Sequence, residues 1–82
     1  MILLATESQQ SRAQVLALAL DYFGPDGVGL SVKSQDATSV RLEGGGGYVV
    51  VHAQMQPDSR LTAVELESRE WEHYVEQFLD EV

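Results

Sequence analysis

The most regular feature of the chain is its carboxyl-terminal stretch, residues 69–82, in which apolar residues recur every three or four positions. This spacing places them on one side of a 3.6-residue helix and does not fit the two-residue period of a strand. It predicts an amphipathic terminal helix capped by Ser68. We expect its apolar stripe to cover the core of this small protein rather than dock in a partner's groove. The stripe contains Trp71, Tyr74, Val75, Phe78, Leu79 and Val82.

A second helical pattern lies near the amino end and finishes at a clear stop. Gly24 accepts left-handed backbone angles and Pro25 cannot continue a helix, so the pair ends the element. The predicted cap is Thr6 or Ser8, since Thr6 and Gln9 have the spacing of a capping box. The predicted apolar face contains Ala13, Leu16, Ala17, Leu20 and Phe23, widened by Val15, Ala19 and Tyr22.

Between the helices the apolar period changes to two, which predicts four strands that each have one apolar face. They fall within residues 28–33, 38–43, 48–55 and 61–67. Matching the apolar faces sets Val40 opposite Val51 and Val51 opposite Leu66, and an odd-length first loop sets Val32 opposite Val40. Residues 1–5, MILLA, fit either a short edge strand or an apolar segment beside the first helix.

The predicted fold class is therefore α+β, with the order α-β-β-β-β-α in a single domain over residues 1–82. The four strands are expected to form an antiparallel meander. Because only one face of this sheet is apolar, both helices should pack on that face. The opposite face, called the outer face below, is left to solvent.

Composition and charge narrow the classes of function. The chain is 44% hydrophobic and 22% charged, as in ordinary globular domains, and it has no cysteine to form disulfides or thiolate metal sites. Its net charge is −8 and its five basic residues are scattered along the sequence, which disfavours nucleic-acid and anionic-membrane partners. Residues 1–5 lack the features of a signal peptide or a bilayer span, so a soluble, cytoplasmic protein is expected.

Residues 44–47 are four consecutive glycines that invite comparison with a phosphate-binding loop. Such loops lead into a helix and usually precede a lysine, whereas this run leads into a predicted strand. The pattern therefore favours a hairpin turn that needs positive φ. Two glycines suffice for that turn, and for the other two the sequence suggests only a twist or a close backbone approach.

The outer face carries the candidate chemistry. The predicted registers place His52 between Ser39 and Glu65, and the next row contains Ser31, Arg41, Val50 and Glu67. A cross-strand pair on a wet face is the ordinary interpretation of His52 and Glu65. His73 is followed by Glu76, but two ligands do not make a metal site. The predicted binding surface consists of Arg41, Tyr48, Val50, His52 and Glu65.

Two stretches, RLEGGGGYVVV at residues 41–51 and LESREW at residues 66–71, together with Phe78, resemble a group of short bacterial proteins of unknown function. That resemblance implies no activity. The order of elements is also similar to START-like, helix-grip lipid-binding domains if residues 1–5 form a strand. By analogy alone, this second resemblance would imply a ligand cavity under the terminal helix, in domains larger than this one.

These observations favour a non-catalytic interaction module or homo-oligomeric subunit, whose partner is a protein, either a second copy or another chain. The first alternative is a small-molecule or lipid carrier with a pocket between the helices and the sheet. The second is an acid–base enzyme that uses His52 and Glu65. No cofactor and no metal are expected, and we expect no enzymatic activity because a two-layer domain of this length offers little concavity.

Overall fold

The computed structural model describes all residues, 1–82, as two helices and a five-stranded sheet. The elements in chain order are β1 (Ile2–Ser8), α1 (Arg12–Phe23), β2 (Ser31–Gln35), β3 (Ser39–Gly44), β4 (Gly47–Met55), β5 (Thr62–Arg69) and α2 (Glu72–Leu79). All neighbouring strands are antiparallel, in the order β1-β5-β4-β3-β2. The prediction of an α+β fold with an antiparallel sheet is confirmed.

The prediction of a four-stranded meander is wrong, because β1 adds a fifth strand beside β5. It pairs along its whole length, from Ile2 opposite Ser68 to Ser8 opposite Thr62. Alternate residues of β1 are exposed, but the sequence hides this alternation because residues 1–5 are apolar at every position. Periodicity detects a strand only when its two faces differ in polarity.

The other four strands follow one another as a meander, and two of the three predicted registers are confirmed. Val51 lies opposite Val40 on β3 and opposite Leu66 on β5. The register of the first hairpin is wrong, because Val32 pairs with Leu42 and a bulge follows between Val32 and Ser34. A bulge inserts an unpaired residue, so counting alternate positions across it gives the wrong partner.

The first helix starts later than predicted, at a different cap. Thr6 and Ser8 belong to β1, and the N-cap is Ser11. The Ser11 hydroxyl accepts from the Gln14 backbone N–H at 3.1 Å, and the Gln14 side chain accepts from the Ser11 N–H at 2.8 Å. The capping box is real but lies five residues farther along. The helix buries Val15, Leu16, Ala19 and Phe23 and exposes Ala13 and Ala17.

The terminal helix is shorter than predicted, because β5 continues through Arg69. Ser68 is buried within the strand, where its hydroxyl has no hydrogen-bond partner, so it is not the cap. The chain leaves the sheet at Glu70, whose φ is 77°, and Trp71 occupies the N-cap position. Ser68 pairs with both β1 and β4, and Arg69 pairs with β4, so strand pairing determines the structure of Arg69 although it lies in the segment with helical spacing.

Both helices contribute to one hydrophobic core. Val75 and Phe78 of α2 are fully buried and Trp71, Leu79 and Val82 pack partly buried against the core, as predicted for the apolar stripe, whereas Tyr74 of the same stripe is exposed. The Phe78 ring lies 5.2 Å from the ring of Phe23 on α1 and 5.6 Å from that of Tyr22, which joins the two helices. The same cluster contains the inward residues of the central strands: Val40, Leu42, Val49, Val51, Ala53, Val64 and Leu66. Neither helix has the length and apolar character needed to cross a membrane.

Candidate interaction surface

The outer face of the sheet is the side that the helices do not cover. On it, His52 lies between Ser39 of β3 and Glu65 of β5, as the sequence predicts. Arg41 pairs with Val50 in the next row, also as predicted. Because of the bulge, the β2 residue beside Arg41 is Ser34, whereas Ser31 lies opposite Glu43.

The five predicted binding residues fall into two groups on this face. Arg41 and Tyr48 line an open depression of about 490 Å³ near the β3–β4 hairpin. Val50, His52 and Glu65 line a separate depression of about 90 Å³, nearer to β1. The structure therefore brings all five to one face but not to one site.

Arg41 is held in place by an aromatic ring and a carboxylate. Its guanidinium carbon lies 4.6 Å from the centroid of the Tyr48 ring, within the range of a cation–π contact. Its Nε donates to the Glu43 carboxylate at 2.8 Å, and this hydrogen bond raises the pKa of Arg41. The Tyr48 hydroxyl donates to Glu67, which stabilises the neutral phenol and raises the pKa of Tyr48. The two carboxylates thus fix the orientation of the stacked pair.

Two further cations lie in the same depression. Lys33 of β2 and Arg69 of β5 line it together with Arg41, so three of the five basic residues are gathered there. The prediction that the basic residues are scattered is correct for the sequence but not for the fold. Arg69 lies directly opposite Tyr48. The predicted β4–β5 register, extended by three residues, places Arg69 opposite Tyr48, but the helical spacing predicts residue 69 to be part of the terminal helix.

The four glycines form the turn between β3 and β4, which confirms the hairpin interpretation. Gly45 and Gly46 have φ of 58° and 82°, the left-handed conformation that a two-residue hairpin loop requires. The two flanking glycines are explained by close approaches. A Cβ on Gly47 would lie 2.0 Å from the carbonyl oxygen of Arg69, and one on Gly44 would lie 2.8 Å from the Leu30 side chain.

The two edges of the sheet differ in how open they are to further pairing. Strand β2 has a bulge and carries Lys33, two features that discourage a neighbouring strand. Strand β1 pairs with β5 over seven residues without irregularity, and its other side has no neighbour. Leu3, on the outer face of β1, is 69% exposed. The β1 edge is thus the regular, apolar edge of the sheet.

Comparison with protein-family models and with curated proteins finds no match to this chain. No group of three or more histidine, cysteine or acidic side chains has the arrangement of a metal site. His73 instead contacts the Gln77 side chain, with 3.2 Å between its Nε2 and the Gln77 Nε2.

Proposed function

We propose that the protein is a non-catalytic subunit that forms a homodimer by pairing β1 with β1 of a second copy. The observation that carries the proposal is the difference between the sheet edges. Strand β1 is regular, and it is apolar from Ile2 to Ala5 with its one charge, Glu7, near its end, whereas β2 is bulged and carries Lys33 at its middle. Regular exposed edges pair readily with another strand, because their unpaired N–H and C=O groups form a ready template. The pairing would give one continuous ten-stranded sheet.

A second copy is the favoured occupant because β1 is self-complementary. In an antiparallel pair centred on Leu4, odd-numbered residues lie opposite odd-numbered residues of the second copy. Outer-face residues of one β1 therefore lie opposite outer-face residues of the other. Leu3 then lies opposite Ala5 of the partner subunit, and Ala5 opposite the partner's Leu3. Both outer-face pairs are apolar, and Glu7 lies at the end of the paired segment, away from the partner's Glu7.

The net charge sets how this dimer should depend on salt. Each chain carries −8, so two copies repel one another at low ionic strength. Salt screens such long-range repulsion with little effect on main-chain hydrogen bonds. The dimer should therefore become tighter as salt is raised, unlike an association held by opposite charges.

The experiment is analytical ultracentrifugation over a wide concentration range, with Leu3→Lys as the test and Val32→Lys as its control. Val32 is also an exposed hydrophobic residue on an edge strand, at 40% exposure, but on β2. Leu3→Lys should weaken dimerisation about tenfold, because two Leu3–Ala5 pairs each lose up to about 1 kcal/mol. Val32→Lys should leave it unchanged. A mass of one chain for the wild type at millimolar concentration, or equal effects of the two variants, would contradict the proposal.

The carrier and enzyme alternatives remain predictions that no specific contact favours. Fourteen buried side chains pack between the helices and the sheet, in the space where a carrier would hold its ligand. His52 and Glu65 are neighbours on an open sheet face, whose depression of about 90 Å³ is far smaller than an ordinary substrate site.

A further inference from the structure

We infer that the depression beside the β3–β4 hairpin is a binding site for a dianionic phosphoryl group, as in inorganic phosphate or a small phosphate monoester. Lys33, Arg41 and Arg69 are the residues that would bind it. They come from β2, β3 and β5, so the site exists only when the sheet is assembled. It lies toward the opposite sheet edge from β1 and does not depend on the proposed dimer.

Basic residues are concentrated in this depression. Nine of the 82 residues line the depression, yet they include three of the five basic residues of a chain whose net charge is −8. Glu43, which also lines it, pairs with Arg41, and Glu67 lies close enough to Arg41 to interact with it, so Lys33 and Arg69 are the cations that no carboxylate pairs with. The site is thus a local positive area on a strongly acidic protein, and electrostatics favour an anion there.

The three cations are available to a ligand. Lys33 and Arg69 form no ion pair, although thirteen acids are present in the chain. Arg41 uses Nε for Glu43, and its terminal nitrogens make no hydrogen bond within the protein. Its stacking on Tyr48 fixes the guanidinium plane before any ligand arrives. A preoriented arginine loses less side-chain entropy on binding, and its planar fork matches phosphate oxygens.

The kind of cations present also selects the class of anion. Two cations without an ion pair, beside the planar fork of Arg41, match the several oxygens of a phosphate monoester, which carries nearly two negative charges at neutral pH, better than a single carboxylate. A nucleic acid needs a continuous basic track, whereas the basic residues outside this depression are Arg12 and Arg60 alone. A small phosphorylated molecule is therefore the favoured ligand.

The test is a titration of ¹⁵N-labelled protein with inorganic phosphate and, separately, with phenyl phosphate. Shift changes should concentrate at the Gly46 and Gly47 amides and at the Arg69 Nε–H. Lys33→Gln and Arg69→Gln should each weaken binding about tenfold, the value of one charge-assisted hydrogen bond. Arg12→Gln, which removes the same charge from the start of α1, should leave binding unchanged. Tighter binding of phenyl phosphate than of inorganic phosphate would support an ester as the ligand, and equal binding would support recognition of the phosphoryl group alone.

Lowering the pH provides an independent readout. Binding of phenyl phosphate should weaken as the pH falls below about 6, where the second proton returns to the phosphoryl group of a monoester, whereas sulfate keeps its charge. The proposal would be overturned if phosphate changed the NMR shifts of all basic residues alike, or if Arg12→Gln and Arg69→Gln weakened phosphate binding equally. Either result would mean that phosphate interacts with the protein only as part of a diffuse ion atmosphere. The Leu3→Lys variant should bind phosphate like the wild type, so failure of the dimer proposal would not imply failure of this one.

Discussion

The two hairpins that meet at β3 are built in different ways. The β3–β4 turn is made by backbone, with Gly45 and Gly46 in the left-handed conformation and no side chain needed to shape it. The β2–β3 turn is made by a side chain: one oxygen of Asp36 accepts from the backbone N–H groups of Thr38 at 2.8 Å and Ser39 at 2.9 Å. One turn is fixed by steric limits, and the other depends on a carboxylate exposed to water.

This difference explains why one register can be predicted and the other cannot. A two-residue glycine turn permits one pairing of the flanking strands, and the predicted partner of Val40 on β4, Val51, is correct. The longer turn at Asp36 leaves room for a bulge, and all five residues of β2 are exposed, so no buried face enforces a register. We expect perturbations of the glycine hairpin to cost more stability than perturbations of the Asp36 turn.

The largest loss of stability is expected when Gly47 is substituted. A methyl group there would lie 2.0 Å from the backbone carbonyl oxygen of Arg69, which cannot move without disturbing β5. Gly47→Ala should lower the free energy of unfolding by about 3 kcal/mol, the upper range for overpacking at a rigid position. Urea denaturation followed by circular dichroism measures it.

Gly46→Ala is the matched control for that experiment. A methyl group at Gly46 meets no atom within 4 Å, but its φ of 82° is unfavourable for alanine. The expected cost is about 1 kcal/mol, from backbone strain alone. If Gly46→Ala were as damaging as Gly47→Ala, the contact with Arg69 would not be the reason for the fourth glycine.

An intermediate effect is expected at Trp71, which joins the glycine hairpin to the start of α2. Its indole N–H donates to the Gly44 carbonyl at 2.9 Å, and its ring lies against Gly45. Trp71→Phe keeps an aromatic ring but removes the donor, and should cost about 1–2 kcal/mol. Tyr74→Phe, on the exposed side of α2, should be nearly neutral. An equally neutral Trp71→Phe would mean that the hairpin needs no support from α2.

Much of the fold could be predicted because the central strands alternate clearly. Val49, Val51 and Leu66 all face inward, as expected from matching apolar faces. The missed elements are those in which a second constraint competes with the pattern. Strand β1 is apolar on both faces, and β5 extends into a segment with helical spacing because Ser68 and Arg69 pair with β4. Single-sequence periodicity does not measure such pairing.

The site was harder to predict than the fold because it is built from three strands that are distant in sequence. Arg41 and Tyr48 were predicted, and their contact follows from the β3–β4 register. Lys33 and Arg69 are missing from the predicted binding surface, because Lys33 is the unpaired residue of the β2 bulge and Arg69 lies at the end of β5, in the segment predicted as helix. The five basic residues are scattered along the sequence, whereas the fold brings three of them together in one depression.

The smallest change in stability is expected when Asp36 is substituted. The direction of its pH dependence follows from the shift in the pKa of Asp36. The pKa of Asp36 in the folded protein is lowered below its usual 3.8, mainly by the hydrogen bond from the Thr38 backbone N–H. Hydrogen bonds from the Thr38 side chain and the Ser39 backbone N–H lower it further. The resulting stabilisation is present above pH 3.8 and is lost as the pH falls through the folded-state pKa. Asp36→Asn keeps an acceptor oxygen without the charge, so it should be slightly less stable than wild type at neutral pH, and this difference should vanish in acid. Urea unfolding midpoints measured from neutral pH to pH 2 test this prediction. The control, Asp36→Ala, has no acceptor oxygen and should be less stable than both the wild type and Asp36→Asn at neutral pH. A difference between wild type and Asp36→Asn that persists at the lowest pH would show that the carboxylate charge does not hold this turn.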